Sequence, residues 1–96
     1  MKITLELDVS PVAGGPTARF ERAVRWEVVP RIDDYVELLR GSGAATPVEN
    51  VVFRANGSIR IVLVTYEEDD ADRVLAQLRS ESSRWIELKD DPPRAY

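Results

Sequence analysis

The chain has no cysteine and no histidine. Without cysteine there is no disulfide framework, no thiolate nucleophile and no zinc site of the thiolate type. Without histidine the commonest metal ligand and the commonest general base are both missing. No stretch approaches the roughly 18 apolar residues of a membrane-spanning helix, and the opening MKITLELDV alternates polar with apolar residues instead of forming the apolar centre of a secretion signal. A cytoplasmic location is the expectation.

Motifs are missing too. There is no Gly-x-x-x-x-Gly-Lys phosphate loop, no Gly-x-Gly-x-x-Gly fingerprint and no Gly-x-Ser-x-Gly elbow. AGGP at 13–16 is too short and too proline-bound to cradle a phosphate. The remaining acid–base side chains are Asp, Glu, Lys and Tyr, and a working carboxylate pair needs a cleft that raises one pKa, for which 96 residues leave little room. The composition therefore points away from an enzyme and away from a cofactor or metal.

What is present is an ordinary globular balance, 44% apolar and 31% charged, far from the composition of disordered chains. One domain of this length buries about 60–65% of its extended surface. Residues 1–89 are expected to form it, with 90–96 a polar tail. The formal charge is −4 and the pI about 4.8, which counts against nucleic acid or anionic membrane as the main partner, because both attract basic proteins. Any such contact has to overcome the repulsion locally.

Ile3, Leu5, Leu7 and Val9 alternate with Lys2, Thr4, Glu6 and Asp8, the period of a strand with one wet face. SPVAGGP at 10–16 follows as a loop. Residues 17–29 (TARFERAVRWEVV) admit two readings. As a strand they put Phe20, Val24, Trp26 and Val28 on one face with Arg22 out of place; as a helix they make a stripe of Phe20, Ala23, Val24 and Val28 capped by Thr17. The β-branched and aromatic run before Pro30 favours the strand. A turn at 30–34 leads to a short strand at 35–39, and GSGAATP at 41–47 reads as a second flexible loop.

VVFRANGSIRIVLV carries the strongest local signal. Asn56-Gly57 predicts a two-residue type I′ hairpin turn, which sets Phe53 opposite Arg60 and Val52 opposite Ile61, with both faces apolar and covered. Ala71, Val74, Leu75 and Leu78 then repeat at helical spacing, with Asp69 or Asp70 as N-cap and Arg79 at the far end, and RWIEL at 84–88 reads as a last strand. The order strand-strand-strand-strand-strand-helix-strand predicts an α+β fold, a mainly antiparallel curled sheet or small half-open β-barrel with one C-terminal helix on it; the alternative is a ferredoxin-like split β-α-β fold.

If the strands run up and down, the loops at 10–16 and 41–47 and the helix start share one end. There the acidic run Glu67, Glu68, Asp69, Asp70 and Asp72 collects. Carboxylates suit a helix N-terminus for the macrodipole alone, and their spacing fits no calcium loop. A salt-sensitive contact with a basic patch on a partner protein uses the surplus charge, so Glu67, Glu68, Asp70 and Asp72 are the candidate partner-binding residues of a non-catalytic interaction module. A second reading is a single-stranded nucleic-acid binder using Phe20, Arg22, Arg25 and Trp26, which requires Phe20 and Trp26 exposed on a sheet face. A third is self-association through an edge strand.

Overall fold

The computed structural model describes residues 1–88; the polar tail expected at 90–96 lies outside the described residues. Strand β1 (Lys2–Val9) buries Ile3, Leu5, Leu7 and Val9 and keeps the residues between them wetter, as the alternation dictates. Beside it, β2 (Ala18–Arg25) pairs antiparallel along its whole length, Lys2 opposite Arg25 and Val9 opposite Ala18. The strand reading of 17–29 therefore holds for its first part and the split β-α-β alternative falls. The strand stops at Arg25. Trp26 and Val29, expected to continue it, instead pack against the core from the crossing segment that leads to β3 (Tyr35–Glu37).

Strand β4 (Ala45–Phe53) begins inside what reads as the second flexible loop. Small residues make 41–47 look mobile, yet Glu37 lies opposite Ala45 and Tyr35 opposite Pro47, and Val64 N–H donates to the Pro47 carbonyl. Neighbouring strands override the composition there. Strand β5 (Ile59–Leu63) completes the hairpin and also lies parallel to β1, Ile3 opposite Ile59 and Leu5 opposite Ile61. Helix α1 (Ala71–Leu78), a 3₁₀ turn (Glu81–Ser83) and the two-residue β6 (Ile86–Glu87) follow.

The hairpin register differs from expectation by one residue. Arg54 N–H donates to the Ser58 carbonyl, so three residues, 55–57, form the loop, with Gly57 at φ 87°. Asn56 Oδ1 accepts from both Ser58 N–H at 3.0 Å and the Ser58 hydroxyl at 2.7 Å, a local bond that favours the longer turn. The consequence reaches along both strands, because a slip of one flips every side chain. Phe53 now lies opposite Ile59 and Val51 opposite Ile61, while Val52 lies opposite Arg60 on the outer side. The hairpin is interior to the sheet, but it is not covered on both faces.

The sheet order β3-β4-β5-β1-β2-β6 curls around one core. On the concave side sit the apolar residues of β1, β2 and β5, closed over by Ala71, Val74, Leu75 and Leu78 of α1. The convex side carries Glu6, Asp8, Arg19, Glu21 and Arg60. Trp85 Nε1 donates to the Leu38 carbonyl at 2.7 Å in the buried interior. Leu38 directly follows β3 and Trp85 directly precedes β6, so this bond ties the two outermost strands together and makes the sheet a half-barrel. No helix among the described residues is long and apolar enough to cross a membrane.

Candidate functional site

Pairing fixes strand directions: β1, β3 and β5 run one way, β2 and β4 the other. The segments following β1, β3 and β5 therefore leave from one end of the sheet, although β2 to β3 is a crossover. At that end the first loop and the helix start are bound together. Ser10 N–H donates to the Tyr66 carbonyl at 3.0 Å, Tyr66 N–H donates to the Asp8 carbonyl at 2.8 Å, and Val12 N–H donates to Asp72 Oδ1 at 3.0 Å.

The carboxylates divide into two groups. Asp70 occupies the N-cap position without making a side-chain cap. Its carboxylate instead accepts from the Tyr66 hydroxyl at 2.6 Å and from Arg73 Nη2 at 2.8 Å. The Tyr66 bond, with help from Arg73, holds the Asp70 carboxyl below its usual range. Burial, reinforced by the same bond, pushes the Tyr66 phenol up to about 12. Asp72 holds the loop through Val12. Both of these candidate residues therefore have internal work, a fact that spacing alone does not show because Tyr66 and Val12 meet them only in three dimensions.

Glu67, Glu68 and Asp69 are different. All three are exposed, and among the described residues their carboxylates have no hydrogen-bond or ion-pair partner. Glu67 borders a groove of about 750 Å³ shared with Asp8, Arg19, Arg79 and Glu87. Those four pair across it: Arg19 Nε reaches Asp8 Oδ1 at 3.1 Å, and the Arg79 guanidinium takes Glu87 in a bidentate grip at 2.9 and 3.0 Å. The Glu87 bonds raise the Arg79 pKa further. Among the described residues, Glu67 is thus the carboxylate of this groove that stands outside those pairs.

The residues of the nucleic-acid reading scatter. Phe20 is 0% exposed and cannot offer a face to a base. Trp26 is half-buried against the core, Arg25 lies opposite Lys2 on the convex side, and Arg22 lies opposite Leu5 on the concave side. The stacking platform that reading requires is not formed. Arg22 is the residue whose place the pattern flags and cannot resolve: half-buried, facing inward, with no carboxylate beside it among the described residues.

Large apolar side chains are exposed elsewhere. Val28, Ile32 and Tyr35 are 77%, 58% and 73% exposed along the crossing segment and the β3 edge. Comparison with protein families, curated proteins and solved structures finds no match for this chain.

Proposed function

We propose that this chain is a non-catalytic cytoplasmic interaction module that takes a basic segment of a partner protein at its acidic end. The supporting observation is the division of the carboxylates: Asp70 and Asp72 brace the helix start and loop, while Glu67, Glu68 and Asp69 stand exposed, Glu67 on the rim of a groove whose other charges among the described residues are paired. Exposed surplus charge of one sign steers an oppositely charged partner, and the attraction weakens with salt.

A lysine-rich model peptide titrated into the full chain tests this reading. Binding at low salt that fades at high salt, and that falls in E67Q/E68Q/D69N with the melting temperature kept, is the expected result. Unchanged affinity in that triple variant rules the surface out. Asp70 and Asp72 are left intact because their carboxylates hold Tyr66 and the Val12 amide.

Self-association is a second reading, favoured by the exposed Val28, Ile32 and Tyr35 beside the β3 edge. Light scattering that shows a single concentration-independent monomer mass excludes it.

A further inference from the structure

A second groove, of about 780 Å³, carries the opposite charge from the rest of the molecule. Arg22 of β2, Arg40 from the turn after β3, Arg73 of α1 and Arg84 from the turn before β6 all line it, and among the described residues no carboxylate does. On a chain of net charge −4 this is a local reversal. Asp70 offsets Arg73 at 2.8 Å. Arg22, Arg40 and Arg84 have no ion-pair partner among the described residues.

Arg22 makes the arrangement informative. A guanidinium half-buried on the concave face normally gains an anion there, since desolvated charge is unfavourable unless paired. The half-buried Arg19 and Arg60 of the same sheet both have one. Arg22 instead opens onto a groove lined by three further arginines.

The turns carrying Arg40 and Arg84 are pinned. Ser42 Oγ donates to the Leu39 carbonyl at 2.8 Å and accepts from Ala44 N–H at 3.0 Å. Ser83 Oγ donates to the Leu78 carbonyl at 2.6 Å and accepts from Trp85 N–H at 3.1 Å. Ser80 and Ser82, also on the groove, are exposed and bonded mainly to each other, so their hydroxyls can turn to a ligand. Guanidinium forks with hydroxyl donors beside them match phosphate oxygens.

Among the described residues no aromatic side chain lines the groove, so none of them stacks a base there. Its volume lies in the range of small-molecule sites and exceeds what one phosphate fills. We propose that this groove binds a compact polyphosphate, read through its phosphate chain, with Arg22 and Arg84 as principal contacts. The site is separate from the acidic end and does not depend on the function assigned to it.

Calorimetric titration of the full chain with inorganic tripolyphosphate tests the proposal, with ATP and orthophosphate as parallel arms. Tripolyphosphate should bind, and orthophosphate at least tenfold more weakly, on the order of one lost charge-assisted contact or more. ATP binding with similar affinity assigns a nucleoside source as admissible; binding of tripolyphosphate alone assigns an inorganic one. R22Q and R84G should each weaken tripolyphosphate binding about tenfold. Because Arg84 sits at φ 65°, glycine relaxes that backbone, and R84G should melt no lower than the parent. R54Q, the same charge change at the exposed hairpin tip, should shift affinity less than about twofold. No heat with tripolyphosphate, binding by ATP alone, orthophosphate matching tripolyphosphate, or equal weakening by R54Q and R22Q overturns the proposal.

Discussion

Arginines on the convex face of the sheet and arginines in the second groove meet opposite fates. On the convex face Arg60 lies between Glu6 and Glu21, bonded to the first and 3.6 Å from the second, and Arg19 holds Asp8. In the groove, Arg22, Arg40 and Arg84 line one space with no carboxylate beside them among the described residues. Cross-strand neighbours explain the first set: the β1–β2 register sets Asp8 opposite Arg19 and Glu6 opposite Glu21, and Arg60 of β5, opposite Thr4, reaches diagonally to both glutamates. The second set is assembled from β2 and two turns, and none of the three has an ion-pair partner among the described residues. Paired arginine stabilises; unpaired arginine in a groove waits for an anion.

The largest expected effect comes from cutting the tie that holds the groove's two turns in place. Trp85→Ala removes a buried indole and the bond to Leu38, and should lower stability by about 3–5 kcal/mol in urea titrations. Trp85→Phe should cost about 1–3 kcal/mol, because the buried Leu38 carbonyl is left without its donor. Both should weaken tripolyphosphate binding. Binding that survives Trp85→Phe unchanged would show that the groove keeps its shape without the tie.

Next in size is an alkaline transition at the helix start, where charges behave like the paired set. The Tyr66 phenol rises from 10.0 to about 12 on folding, so folding favours its protonated form. That contribution is full below pH 10 and is lost as pH climbs toward 12, on the order of 1 kcal/mol once solvent screening is counted. Tyr66→Phe should flatten this alkaline loss in a pH series of thermal melts. Asp70 works in the opposite direction: its lowered carboxyl stabilises the fold above its usual value of 3.8, and the benefit disappears as pH falls through the folded-state value. Tyr66→Phe should reduce that acid-side contribution as well.

The convex network predicts a change of similar size. Arg60→Gln leaves Glu6 and Glu21 without their shared cation, at a cost of about 1 kcal/mol in denaturant titrations, more at low salt than at high. Smallest of all is Arg22→Gln, which breaks no ion pair and should shift stability by less than about 0.5 kcal/mol in either direction. The contrast between these two variants is the direct measure of the difference between the faces. Equal destabilisation by both would sink it.

The strands and the helix were readable from periodicity. Ile3, Leu5, Leu7 and Val9 declare a face by themselves, and Ala71, Val74, Leu75 and Leu78 declare another, because burial selects apolar side chains at the period of the backbone. The hairpin at Asn56-Gly57 was readable as a hairpin and misread by one residue, since a two-residue and a three-residue loop both use Gly at positive φ and only Asn56–Ser58 bonding separates them. Of the acidic run, Glu67 and Glu68 remain candidate contact residues, whereas Asp70 and Asp72 turned out to be braces. Their partners, Tyr66 and the Val12 amide, come from an isolated bridge beyond β5 and from a loop sixty residues away.

By itself, then, the sequence determined the apolar faces of β1 and α1 and the exclusion of thiolate and imidazole chemistry, because each follows from residue type and local spacing. The tertiary structure decided which charges are neutralised, since neutralisation depends on distances of a few ångströms between elements far apart in the chain. Arg22 marks the boundary between the two. Its place on an apolar stripe is visible in the string of letters; the three arginines it meets from a strand's following turn, a helix and the approach to the last strand are brought there only by the curl of the sheet.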